Sequence, residues 1–225
     1  VLNGGSTVVG DDGTVVRSDD GSSVANNGDG SGTYRNGEVV ITNNGDGSGT
    51  YRDSKTTIAV NGDGSGTYRD DEITVAINGD GSGTYDNSRT GEAIANNGDG
   101  SGTYRNGEIT ITNNGDGSGT YRDSKTTIAV NGDGSGTYRD DVITVAINGD
   151  GSGTYNNSRT GESIANNGDG SGTYRDNEIT IVNNGDGSGN YTNSRTGLYV
   201  RNDGRGEAQV NINNEGLRTV KADPL

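Results

Sequence analysis

The chain has 225 residues, 43 of them Gly, one Pro, no Cys and no His, with a formal net charge of −15. Without Cys or His it has no disulfide, no thiolate metal site and no imidazole base, and its negative charge argues against nucleic acid and anionic membranes as partners. No apolar run approaches the ~20 residues needed to insert into and cross a membrane, and a hydrophobic fraction of 25% would suit a disordered acidic polymer were it not for the periodicity described next.

The opening Val-Leu-Asn-Gly-Gly does not read as a secretory signal. Residues 1–26 are expected to form degenerate N-terminal coils, with GDDGTVVRSDDGSSVAN as a worn copy of the units that follow. Residues 27–201 form a regular array. The Asn that opens each NGDG motif stands at 27, 44, 61, 78, 97, 114, 131, 148, 167 and 184, so the spacings run 17, 17, 17, 19 and repeat with a superperiod of 70. Within each unit GTYR predicts a short strand, and NG, DS or DD a corner. EVVITN or its equivalent predicts a longer strand of period-2 alternation, and NGDGSG a second corner where Gly supplies positive φ. Three residues before each Asn the side chain is always aliphatic, as in Ile41, Ile58 and Val75. One residue before, Asn43, Val60, Ile77 and Asn96 alternate in kind, and Asn there is expected to stack in amide ladders. NSRTG at 87–91, 157–161 and 193–197 is a two-residue insertion whose Arg89, Arg159 and Arg195 are candidates for lateral contacts. Residues 202–225 read as degenerate C-terminal coils and a tail.

Two all-β architectures fit a strand–corner–strand–corner unit. One is an antiparallel meander of hairpins, which resembles the YD-repeat shells of secreted toxins. The other is a single-chain β-solenoid of about 17-residue coils, two short strands per coil, with equivalent residues stacked about 4.8 Å apart. Eleven residues after each Asn stand Glu38, Lys55, Glu72, Arg89, Glu108, Lys125, Val142, Arg159, Glu178 and Arg195. Alternating sign suits vertical neighbours, whereas pairing across a hairpin would set Arg52 against Lys55. The expected fold is therefore the solenoid, with in-register Tyr, Ile/Val and Asn ladders. Tyr34, Tyr51, Tyr68, Tyr85, Tyr104, Tyr121, Tyr138, Tyr155, Tyr174 and Tyr191 are expected inside it as an offset stack.

The Asp of NGDG forms its own row at Asp29, Asp46, Asp63, Asp80, Asp99, Asp116, Asp133, Asp150, Asp169 and Asp186. NGDGSG resembles the start of an EF-hand-type calcium loop, and the array is similar to the calcium-binding RTX β-roll of secreted bacterial proteins, which would make Ca2+ a cofactor held by these carboxylates. It departs from that pattern by having one Gly-Asp corner per coil and no GGxGxD. The other reading of each Asp is a cap on the N–H groups of its own corner. Carboxylates and arginines recur as rows, with no singular constellation, so no catalytic residue and no enzymatic activity are expected. Open strand edges at both ends point to self-association. The expected function is a secreted, cell-surface or extracellular structural protein of the fibre or adhesin kind, joined end to end into a filament. Outward Thr rows, as in repetitive antifreeze solenoids, make ice binding an alternative, and a calcium-dependent stalk is another.

Overall fold

A computed structural model describes residues 6–10, 13–213 and 215–221. The described residues contain strands and turns and no helix. The chain divides into two compact units, Val1–Gly115 and Asp116–Leu225. The first holds β1 (Ser6–Gly10), β2 (Gly13–Arg17), β3 (Ser23–Asn26), β4 (Gly32–Asn36), β5 (Val39–Asn43), β6 (Gly49–Arg52), β7 (Thr57–Val60), β8 (Gly66–Arg69), β9 (Ile73–Ile77), β10 (Gly83–Asn87), β11 (Glu92–Asn96), β12 (Ser101–Arg105) and β13 (Thr110–Asn114). The second holds β14 (Gly119–Arg122), β15 (Thr127–Val130), β16 (Gly136–Arg139), β17 (Ile143–Ile147), β18 (Gly153–Asn157), β19 (Glu162–Asn166), β20 (Ser171–Arg175), β21 (Ile179–Asn184), β22 (Ser188–Asn193), β23 (Leu198–Asp203), β24 (Glu207–Asn211) and β25 (Arg218–Lys221).

The structure replaces the expected solenoid with an antiparallel meander. Within each unit every strand pairs with its neighbours in sequence. Tyr51 of β6 stands opposite Ile41 of β5 on one side and Ile58 of β7 on the other, and Tyr121 and Tyr138 likewise flank Ile128. Successive tyrosines are thus two strands apart, about 9.6 Å, with an aliphatic residue between them. The 17-residue unit is one hairpin, not one closed coil. The objection raised by Arg52 and Lys55 dissolves in the register: Arg52 pairs with Thr57, and Lys55 lies in the four-residue turn, where the Asp53 N–H donates to the Thr56 carbonyl. The worn ends continue the same column, with Val16 beside Val24 and Tyr191, Val200 and Val210 in succession.

Nor are the tyrosines inside. Among the described residues no apolar side chain is buried. Each unit is a single-layered sheet, half-exposed on one face through the Tyr/aliphatic column and on the other through Thr, Ala and Arg. What holds it is distributed: the backbone ladder, apolar cross-strand pairs contributing a few tenths to about 1 kcal/mol each, and the loops at both sheet margins.

The loops carry most of the side-chain hydrogen bonds. Along one margin lie the NGDG corners. In each, the Asp accepts at Oδ1 from the Ser two residues on, as Asp29 does from Ser31 N and Oγ at 2.9 and 2.6 Å, and the leading Asn reaches the same Ser, Asn27 Nδ2 to Ser31 Oγ at 2.8 Å. The residue before that Asn selects the loop's shape. Asn43 accepts from Gly45 N at 3.0 Å, and Gly45 adopts φ +82°. Val60 has no acceptor, so Gly62 stays out of the left-handed region and Gly64 N donates to the Asn61 carbonyl at 3.1 Å instead. The asparagines expected to form amide ladders are therefore caps of their own corners, because equivalent strands are not adjacent.

Candidate functional site

Four surfaces repeat along each unit: the Tyr face, the opposite face, and the two loop margins. On the Tyr face each ring reaches the residue two positions on. Tyr51 Oη donates to Asp53 Oδ2 at 2.8 Å and Tyr68 Oη to Asp70 Oδ2 at 2.7 Å, while Tyr85 and Tyr104 accept from Asn87 and Asn106. The same Asp or Asn caps the next turn: Asp53 Oδ1 accepts from Lys55 N and Thr56 N at 2.9 and 2.6 Å. The Lys55 N–H first, then the Tyr51 hydroxyl and the Thr56 N–H, hold the Asp53 carboxyl below the usual range, and Asp53 in turn raises Tyr51. The tyrosine row is thus a set of struts joining the apolar column to the turns. Between them Val60 and Ile77 stand 47% and 53% exposed, on either side of Gly66 in the register Val60, Gly66, Ile77.

The opposite face carries Thr33, Thr42 and Thr50 in adjoining strands, then alternating Ala and Thr. Beside that column runs a second one in which Arg35, Arg52, Arg69 and Arg105 occupy every second strand except β10, where Asp86 stands. The second unit repeats it with Arg122, Arg139 and Arg175. In the sequence these arginines entered only as hairpin partners, Arg52 against Lys55 among them, and not as a surface row. Their signal was there in Y-R-D, since alternation puts Arg on the far side of the sheet from both Tyr and Asp.

The ten corner aspartates occupy one margin within each unit, one per loop. Successive loops touch through their backbones: a Cβ on Gly62 would lie 2.8 Å from the Asp46 carbonyl oxygen. The carboxylates themselves are two strands apart, about 9.6 Å, beyond a Debye length of about 8 Å at physiological ionic strength, so the row does not require a bound cation to hold it together. Each is held below the usual carboxylate range by the hydroxyl of its Ser and then by the N–H of that Ser, as at Asp29 and Asp46. Among the described residues no three acidic side chains converge as a metal site. Adding Ca2+ or a chelator is therefore expected to leave the far-UV circular dichroism and melting temperature unchanged, and a calcium-dependent shift in either would count against the capping role.

The opposite margin places the insertions against their predecessors. Ser88 N and Oγ both donate to the Glu72 carbonyl, at 2.8 and 3.1 Å, and Arg89 Nε meets Glu72 Oε2 at 3.1 Å. Arg195 and Glu178 repeat the pair at 3.1 Å. At Arg159 the preceding loop offers Val142, so Ser158 keeps its backbone bond without a glutamate partner for the guanidinium. Of the alternating row, Glu72 with Arg89 and Glu178 with Arg195 meet as neighbouring loops, and neighbouring loops exist in the meander as well as in the solenoid. Asn87, 7% exposed, caps the insertion by accepting from Arg89 N and Thr90 N at 3.0 and 3.1 Å. Asn87→Ala is expected to cost about 1–2 kcal/mol. Arg89→Ala, in a pair whose side chains are 71% and 46% exposed, should change stability by less than about 0.5 kcal/mol. Urea melts of the two variants would show whether the cap outweighs the ion pair.

No helix among the described residues is long and apolar enough to cross a membrane. No protein-family model matches the chain, and no curated protein matches it. Among solved structures it is similar to the wild-type TCP10 domain of Danio rerio CPAP, at 14% identity and TM-score 0.36, over 79% of this chain and 96% of that one. The same domain in complex with a peptide of Danio rerio STIL aligns over 97% of this chain and 99% of that one, at 14% identity and TM-score 0.23. The SAS-4 TCP domain of Drosophila melanogaster, in complex with a proline-rich motif of Ana2, aligns over 97% and 90% at 8% identity and TM-score 0.21. Similarity at this level assigns no family.

Proposed function

We propose that this chain is a non-enzymatic structural repeat protein of the extracellular space or cell surface, which associates with further copies of itself into a filament or fibre. The observation that carries this reading is the half-exposed Tyr/aliphatic column, repeated in both units, in a protein with no buried apolar side chain among its described residues. A contiguous apolar strip of that kind marks an interaction surface. Open edges add to it: among the described pairings β1 meets only β2, and β25 only β24. Edge-to-edge joining has an opponent in β25, where Arg218 and Lys221 pair with Glu215 and Glu207 and place on an edge strand the charges that discourage further pairing. Electron microscopy and sedimentation of the purified protein are expected to show filaments that lengthen with concentration. Short isolated particles at every concentration would overturn the reading.

A second reading, ice binding, draws on the Thr33, Thr42 and Thr50 rank. It is opposed by Arg35 and Arg52, which flank those threonines on their own strands. Ice grown in the presence of the protein is expected to be unshaped, and faceted crystals would favour the antifreeze role.

A further inference from the structure

The two faces of each unit carry opposite charge. Within the first unit, Asp53 and Asp70 lie on the Tyr face, placed there by the hydroxyls they accept. Arg35, Arg52, Arg69 and Arg105 point the other way, since residues that are neighbours in a strand face opposite sides. From β3 to β13 no strand Lys or Arg lies on the Tyr face. From β14 to β22 the second unit repeats the arrangement with Arg122, Arg139 and Arg175 against Asp123, Asp140 and Asp176, whose tyrosines reach them at 2.9, 2.7 and 3.1 Å; beyond it Arg218 stands on the Tyr face opposite Val210. Among the described residues no ion pair engages any strand arginine of the face opposite the tyrosines; the ion pairs formed there belong to the loops and the C-terminal strands.

We propose that copies of this chain stack face to back, the acidic Tyr face of one against the arginine face of the next, and that this heterologous contact is what builds the filament. The proposal rests on the self-association reading above and names its surface. Four features carry it. First, both charged rows have the same pitch, two strands or about 9.6 Å, because both come from one repeat, so Asp53 and Asp70 of one copy can meet two successive arginines of the next in register. Second, charge follows charge among the Tyr strands: Asp53, Asp70, Asp123, Asp140 and Asp176 all follow an Arg strand, Arg35 and Arg105 are followed by Asn36 and Asn106, and β10, β18 and β22, which lack Arg, bear Asn87, Asn157 and Asn193. Those Arg and Asp point to opposite sides of their own sheet, so only a neighbouring sheet can bring such rows together. Third, the shapes match. The Thr/Ala column is low enough for bulky Tyr and Ile side chains to pack against it at the usual sheet spacing of about 10 Å. Fourth, twelve strands of about 15 Å span roughly 850 Å² of sheet plane, near the ~800 Å² per partner of a stable interface. A contact between unlike faces does not close on itself, so it propagates.

The repeat itself supplies substitutions that keep the fold. Asp86 stands naturally at the Arg position, and Asn87 and Asn106 at the Asp position, where they keep the turn cap. The quadruple variant Arg52→Asp, Arg69→Asp, Arg122→Asp, Arg139→Asp is expected to keep the far-UV spectrum and to need at least about tenfold more protein to assemble. The variant Asp53→Asn, Asp70→Asn, Asp123→Asn, Asp140→Asn, Asp176→Asn should shift in the same direction, and either variant mixed with wild type should give capped, shorter filaments. Fibre diffraction of the wild type should show a sheet spacing of about 10 Å. If the arginine variant assembles at the wild-type concentration, face-to-back stacking is wrong and self-association stands. If Val220→Pro in β25 abolishes assembly while the arginine variant does not, the edges form the contact. A wild type that stays monomeric overturns the stacking together with the reading beneath it.

Discussion

Gly49→Ala is expected to lower stability by about 3 kcal/mol, the upper end of what one added methyl costs in a packed site. Gly49 opens β6 with φ outside the left-handed region, so backbone freedom is not its role. A Cβ there would lie 2.5 Å from the Thr42 carbonyl oxygen and 3.5 Å from Asn43 Cα. Both neighbours are backbone of the paired strand, and neither can yield without breaking the ladder. The same clash recurs at Gly66 and Gly102, 2.6 and 2.5 Å from the carbonyls of Ala59 and Ala95. Gly64→Ala is the control. Its φ is +83° and nothing stands within 4 Å of a Cβ, so it should cost about 1–2 kcal/mol from the left-handed conformation alone. Because each hairpin leans on its neighbours, Gly49→Ala should speed hydrogen exchange most in β5–β7. Equal costs at Gly49 and Gly64 would mean that the strands approach less closely than described.

Acidification is expected to unfold the protein cooperatively once the pH falls below the range where free carboxyls titrate, about 3.9. The corner aspartates and the turn aspartates Asp53, Asp70, Asp123, Asp140 and Asp176 all sit below that value when folded. Their stabilisation is therefore complete above the unfolded value and disappears as the pH drops through the folded ones. Protonation removes the negative charge that strengthens the bonds from Ser31 and its equivalents, at every loop of one margin at once. The alkaline side has the opposite sign. Tyr51, Tyr68, Tyr121, Tyr138 and Tyr174 are raised by the Asp each one bonds, so their contribution is intact below about 10 and fades as the pH climbs through the raised values. Far-UV circular dichroism against pH, with tyrosinate absorbance followed in parallel, measures both limbs. Replacing the five turn aspartates by Asn should leave the acid limb, which the corner aspartates dominate, and move tyrosine ionisation to lower pH. An unchanged tyrosine titration would show that the struts are not formed.

Much of this structure was legible before any coordinates. The strand and corner boundaries follow from Gly, Asn, Asp and Ser placed around period-2 stretches, and each is settled by contacts within about ten residues. The Asp of NGDG as a cap, one of two readings of it, needs only Ser31 two positions away. Asn43 or Val60 before the corner already encodes which of two loop shapes forms. Even the alternation of Glu72 and Arg89 correctly announced loops in contact.

The choice between coil and hairpin was decided only by long-range pairing, and the reason is physical. A unit with two corners returns its loops to the same margin with the same period whether its strands close a coil or reverse in a plane, so any signal carried by loop neighbours is common to both. What separates them is the partner across each strand: a copy of itself in the coil, the other half of its hairpin in the meander. That partner set Tyr51 between Ile41 and Ile58, put both faces in solvent instead of enclosing one, and turned Arg52 and Asp53, adjacent in sequence, into members of opposite surfaces.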